Sequence, residues 1–146
     1  MRLADPEATE AAGRGLAPLL EVGDCVALYG DLGAGKTSLC RGILHGLGFS
    51  GDVASPTFPI VQVYEPPELR LPVWHVDLYR IESPSELEEL GLDEALAGAA
   101  LLIEWPERLP SLWPQTLRLT LSRDQEGGRA LTAQVPEAWE RRWPPR

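Results

Sequence analysis

The sequence predicts an α/β fold in a single domain, on three observations. A short apolar strand runs into a glycine-rich loop and then a helix. Further short apolar segments read as buried strands interleaved with a capped helix. Two alternating segments near the C-terminus, joined by "QEGG", read as a closing antiparallel hairpin. A chain of 146 residues can bury one core and is too short for a nucleotide module plus a separate substrate domain, so residues 1–146 are expected to form one domain.

The stretch "ADPEATEAAGRGLAPLLEVGD" reads as the first helix, with Asp5 as its cap, Pro6 in the first turn and Pro18 ending its regular part. "CVALYG" is short, apolar and followed by glycine, as a buried strand is. In "KTSLCRGILHGLG", Leu39, Cys40, Ile43, Leu44 and Leu47 recur at helical spacing, and Gly46 and Gly48 close the segment. "GDVASPTFPI" is a loop by composition. "IVQVYE" and "LPVWHVDLYR" read as strands around a turn at Pro66 and Pro67. Strand alternation sets Trp74, Val76 and Leu78 on one face and His75, Asp77 and Tyr79 on the other. Ser83, Pro84 and Glu86 form a capping-box pattern that predicts a helix from there to about Ala97. "AALLIEW" is a further buried strand, and "TLRLTLSRD" with "RALTAQVPE" makes the hairpin. Residues 136–146, with Arg141, Arg142 and Arg146, read as an extended, solvated tail.

Composition narrows the function. Thirteen Lys and Arg against 22 Asp and Glu give a net charge of −9, which repels a phosphate backbone and argues against direct nucleic-acid binding by this chain. No apolar run approaches the roughly 20 residues of a membrane span. The amino terminus lacks the character of a signal or transit peptide, so a cytoplasmic location is expected. Cys25 and Cys40 are too few for a disulfide scaffold and lack zinc-ligand spacing, and they read as small buried residues.

The chemistry centres on "LYGDLGAGKTS". Gly30, Gly35, Lys36 and Thr37 satisfy G-x-x-x-x-G-K-[ST], and the strand before and the helix after are the context that pattern needs. Glycines let successive backbone N–H groups form an anion nest, to which the helix amino end adds partial positive charge. Lys36 is expected to reach the β- and γ-phosphates, and the Thr37 hydroxyl to ligate Mg²⁺. A phosphate cradle alone leaves the metal incompletely held, so an acidic residue is needed at the end of a second buried strand, and Glu104, after Leu101, Leu102 and Ile103, supplies it. The alternative for Glu104 is a solvated strand-end carboxylate. Trp105 either walls the pocket or is core. Asp77 would orient a water, accept its proton or bind the outer shell of the metal; otherwise it is an ion-pair partner of Arg80. His75 is either an active-site group or a half-buried structural histidine. Ser55 and Thr57 flank a proline in a loop soon after the helix, where GTPase-like proteins keep a γ-phosphate-sensing switch.

The segments "GDLGAGKT", "SPTF", "HVDLYR", "ELGLDE" and "LIEWPER", in this order and spacing, resemble the TsaE family, formerly YjeE, from about Asp5 to Val135. The resemblance implies a P-loop NTPase-like three-layer fold with a mixed, mainly parallel central sheet and a C-terminal antiparallel hairpin. It also implies binding and weak hydrolysis of ATP with Mg²⁺, alongside the TsaD and TsaB proteins that modify tRNA adenosine next to the anticodon, with ATP use resetting or regulating that complex. Position by position, Leu32, Gly33, Ala34, Gly35, Lys36 and Thr37 would bind phosphates and Thr37 with Glu104 the metal. Thr57 would belong to the switch-like loop, Asp77 would serve hydrolysis together with Lys36, and Trp105 would lie near the nucleotide. The pocket would be completed by Pro6 or Thr9 from the amino-terminal segment and by Gly128 or Arg129 from the late hairpin. Pro59 after "SPTF" departs from the family pattern. Two alternatives stay open: a small-molecule P-loop kinase, for which no acceptor domain is visible, and a nucleotide-gated binding module without catalysis. No guanine-reading "NKxD" run is present, which favours ATP.

Overall fold

A computed structural model describes residues 1–31, 33–56 and 59–145, so Leu32, Thr57 and Arg146 lie outside the described residues. Its strands are β1 (Arg2–Leu3), β2 (Cys25–Tyr29), β3 (Val61–Tyr64), β4 (Val73–Asp77), β5 (Ala100–Glu104), β6 (Leu117–Arg123) and β7 (Arg129–Gln134). They join one sheet in the order β1-β7-β6-β2-β5-β4-β3. The central strands β4, β5, β2 and β6 run parallel, while β3, β7 and β1 pair antiparallel at the two sides. The centre is parallel because its strands are apolar on both faces: every residue of β5 is buried, and so are the first four of β2.

Helices α1 (Pro6–Leu16) and α2 (Lys36–Gly46) cover one face, closing a core that includes Leu16, Leu39, Ile43, Val26, Leu28 and Leu102. Helices α3 (Pro84–Leu90) and α4 (Leu92–Ala95) belong to the other face, where Val76, Leu78, Leu92, Leu101 and Ile103 pack together. The result is three layers, as the resemblance implied, with β6 and β7 as the hairpin. Asp5 caps α1 as expected, its Oδ1 accepting from the Ala8 amide at 2.8 Å. Two glycines let α1 and α2 cross at backbone contact. A Cβ on Gly13 would overlap the Leu39 carbonyl oxygen, and one on Gly42 that of Glu10. This close crossing brings the start of α1 over the start of α2.

Three expectations are corrected. The helix expected to run to about Ala97 breaks at Gly91, whose left-handed φ of 68° ends α3 and starts α4. The capping box does not form. Glu86 Oε2 accepts the amide of Glu82 at 2.8 Å, and the Ser83 hydroxyl pairs with that of Ser85. The extended tail is instead folded back through a 3₁₀ turn at Glu137–Trp139, with Trp139 wholly buried. The reason is local. Asp24 is 5% exposed and needs a partner, and Arg142 supplies it at 2.7 and 3.1 Å while its guanidinium lies 4.0 Å from the Trp139 ring centroid. Both cysteines are free and buried; burial pushes the Cys25 thiol up to about 12 and that of Cys40 well above its usual value. Among the described residues no helix is long and apolar enough to cross a membrane.

Candidate functional site

The site lies where the parallel strands end. β2 exits at Tyr29 into Gly30, whose φ of 150° and close approach to β6 exclude a side chain: a Cβ there would come within 2.7 Å of the Leu121 carbonyl oxygen. Gly35, at φ 105°, caps α2 in a conformation that glycine adopts without strain. Arg129, the first residue of β7, ties this loop down from the side. Its Nε donates to the Ala34 carbonyl at 2.9 Å and its Nη2 to that of Gly33 at 3.0 Å. The Gly128 amide donates to Asp124 Oδ1 at 2.8 Å, which closes the hairpin turn.

Lys36 opens α2 and is 5% exposed, yet its ammonium has no hydrogen-bond partner among the described residues. It lies 3.7 Å from the centroid of the Trp105 ring. Desolvation lowers its pKa, and the carboxylates of Glu104, Glu107, Asp77 and Asp31 oppose that shift. Trp105 takes a positive φ of 60° right after β5, and the Tyr79 ring lies tilted 43° against it at 4.9 Å between centroids.

Sheet register places the two carboxylates side by side. Asp77 pairs with Glu104 across β4 and β5, and Glu104 also pairs with Leu28 of β2. Glu104 is 3% exposed. Its carboxylate lies 3.3 and 3.4 Å from the Thr37 hydroxyl, long for an O–H donor, and 2.7 Å from His75 Nε2. Asp77 accepts from the Ser55 hydroxyl at 2.5 Å and from the Tyr79 amide at 2.9 Å. His75 is fully buried, where the structural alternative read from the sequence had it half-buried. Its neighbour in the interior is Cys40, and the donor atoms of Cys40, His75 and Glu104 lie within 4.8 Å of one another.

These groups surround a cavity of about 610 Å³. Of the residues read from the sequence, Pro6, Thr9, Gly33, Gly35, Lys36, Thr37, Ser55, Asp77, Glu104, Trp105, Gly128 and Arg129 line it. Ala34 does not; its amide donates to the Asp31 carbonyl at 3.0 Å. Sequence reasoning passed over Asp5, Ser38, Tyr79 and Gly127 as wall residues. Tyr79 was within reach, because it follows Asp77 on the same strand face, whereas Asp5 was fully accounted for as a cap. The donor set suits a hard cation. A hydroxyl and a carboxylate oxygen are the ligands Mg²⁺ takes, and a buried ammonium without a partner suits an adjacent anion.

A glycine loop between the first parallel strand and the helix packed on it, with two acidic side chains at neighbouring strand ends, defines a P-loop NTPase-like α/β protein. The chain belongs to the TsaE family: residues 3–131 match the model for "Threonylcarbamoyl adenosine biosynthesis protein TsaE". Similar proteins include tRNA threonylcarbamoyladenosine biosynthesis protein TsaE of Rickettsia prowazekii, 48% identical over 94 residues. That match covers 64% of this chain and 64% of the relative. The protein of the same name from Bacillus subtilis is 39% identical over 133 residues, or 90% of this chain and 82% of that one. The crystal structure of Bacillus subtilis YdiB matches with a TM-score of 0.78 at 33% identity, covering 97% of this chain and 88% of YdiB.

Proposed function

We propose that this chain is a Mg²⁺-dependent ATPase of the cytoplasm that supports or resets a TsaB–TsaD complex during threonylcarbamoyladenosine modification of tRNA. The observation that carries the proposal is the buried ammonium of Lys36 at the amino end of α2, without a hydrogen bond among the described residues and within the field of Glu104 and Asp77. Holding a desolvated cation without a hydrogen bond is unfavourable, and an anion entering the cavity would relieve it.

Each residue then has a task. The amides at the start of α2 and the Lys36 ammonium bind the phosphate chain, the lysine leaving the Trp105 ring to do so. Arg129 occupies the Gly33 and Ala34 carbonyls, which keeps those oxygens from opposing an anion. Thr37 and Glu104 would hold Mg²⁺, whose charge, when bound, offsets that of the phosphate oxygens. Asp77, fixed by Ser55 and the Tyr79 amide, positions the attacking water and takes its proton. The water oxygen bonds to the γ-phosphorus as the bond to the bridging oxygen breaks and ADP leaves with the electron pair. Pro6 and Thr9 from α1 and Gly128 from the hairpin enclose the rest of the nucleotide.

With a net charge of −9 the chain is suited to meet a protein partner and reach tRNA only through it. Calorimetry with ATP, with and without Mg²⁺, tests the binding. Phosphate release in the presence of TsaB and TsaD, measured for Asp77→Ala, tests the catalysis: binding persists and turnover falls. Absence of heat with ATP for the wild type, alone or with the partners, would sink the proposal, and unchanged turnover in Asp77→Ala would remove Asp77 from it.

A further inference from the structure

The reaction above gives no task to a buried side chain that touches one of its two acidic groups. His75 sits in the middle of β4 at 0% exposure, directed at neither solvent nor the cavity wall, with Nε2 2.7 Å from Glu104 Oε2 and Nδ1 without a partner. A carboxylate can only accept, so Nε2 carries the hydrogen of this contact, and in the neutral ring Nδ1 is then a bare lone pair. That tautomer is the cheaper one, since the other would leave a buried N–H donor unmatched and set two acceptors against each other. The carboxylate beside it has a second commitment to Thr37 Oγ1, at 3.3 and 3.4 Å from its two oxygens.

We infer that His75 is a positioning residue: its Nε2–H fixes the Glu104 carboxylate in the orientation that presents oxygen beside the Thr37 hydroxyl, and so sets the affinity of the site for a divalent cation. This inference rests on the Mg²⁺-ATP reading of the cavity. Partners of ligating carboxylates typically change metal affinity by about 10–100-fold when removed. Leucine at position 75 fills similar volume without a donor, whereas glutamine keeps one.

The experiment titrates Mg²⁺ into ATP-loaded protein, followed by tryptophan fluorescence, with ATP affinity in EDTA measured separately. His75→Leu should raise the Mg²⁺ midpoint about 10–100-fold while Mg²⁺-free ATP affinity stays within about twofold. His75→Gln should recover most of the loss. Cys40→Ala, which removes volume from the same buried cluster without touching the hydrogen bond, should leave the midpoint in place. Imidazole ¹⁵N NMR of the wild type needs no variant and should report the Nε2–H tautomer. An Nδ1–H tautomer, a wild-type midpoint in His75→Leu, or equal losses in the Leu, Gln and Cys40→Ala proteins would each overturn the inference. A wild type that binds ATP but shows no Mg²⁺ response would remove both this inference and the metal part of the proposed function.

Discussion

Gly42→Ala tests whether backbone contact between α1 and α2 builds the pocket. A Cβ at position 42 would overlap the Glu10 carbonyl oxygen and come within 2.8 Å of the Glu10 carbonyl carbon and 2.9 Å of its Cα. All three atoms are main chain, so no rotamer change relieves the contact and the helices must separate. Overpacking costs about 1–3 kcal/mol, and a rigid backbone partner puts this case near 3. Alanine returns about 1 kcal/mol through its better helix propensity. The net loss of about 2 kcal/mol corresponds, for a chain of this size, to a fall of roughly 6 °C in Tm. Circular dichroism melting of Gly42→Ala beside Gly98→Ala measures it, because a methyl at Gly98 meets nothing within 4 Å and should shift stability by under about 0.5 kcal/mol. As α1 carries Pro6 and Thr9 to the cavity wall, ATP affinity should fall with the melting point. Equal melting points for Gly42→Ala and the wild type would refute the reasoning.

Lys36→Ala should lower ATP affinity by about 100-fold or more, on the scale of two charge-assisted hydrogen bonds, while the nucleotide-free Tm falls by only about 2–4 °C, because the contact with the Trp105 ring is lost but no hydrogen bond is. Calorimetry paired with melting checks it, and a large fall in the nucleotide-free Tm would mark Lys36 as structural. Arg129→Ala frees the Gly33 and Ala34 carbonyls and should weaken ATP binding about tenfold, or ~1.4 kcal/mol, read by the same titration. Arg142→Ala leaves the Asp24 carboxylate, 5% exposed, without its guanidinium and should cost about 2 kcal/mol in urea unfolding, with ATP affinity unchanged.

The parts of this fold that were legible in the sequence are those set by short-range pattern. The strand, loop and helix around Lys36 follow from apolar runs, glycine positions and helical spacing, and β4 alternates as expected, with Trp74 and Val76 against one core and His75 and Asp77 facing the other side. Pairing was not legible, since nothing in "TLRLTLSRD" says that it lies parallel to β2 between β2 and β7. The two-residue β1 is too short to leave a pattern. At Gly91 and Ser83 local propensity pointed one way and the settled backbone another: a glycine inside a helical pattern broke it, and Glu86 found the Glu82 amide first. Arg142 was misjudged because its value depends on Asp24, which is distant along the chain and close in space. Arg129 was located by resemblance, but its grip on the loop carbonyls is a matter of tertiary geometry.

The site also bears on how β5 finds its place. Because "ALLIE" is apolar on both faces, sliding it by one residue against β2 and β4 would exchange Leu102 for Ile103 or Leu101 with little change in buried hydrocarbon, so hydrophobic patterning alone sets its register weakly. Glu104 removes that ambiguity. In the observed register it meets His75 and Thr37; after a one-residue slip its carboxylate would turn toward the core of Val76, Leu78 and Leu92, where a charge without a partner costs several kcal/mol. The carboxylate proposed to hold the metal therefore also selects the pairing that puts it beside Asp77, and a substitution chosen to silence the chemistry, Glu104→Leu, should loosen strand register as well. Hydrogen exchange at the β5 amides would show this as lost protection in Glu104→Leu but not in Glu104→Gln, which keeps a polar group for His75 and Thr37 to meet.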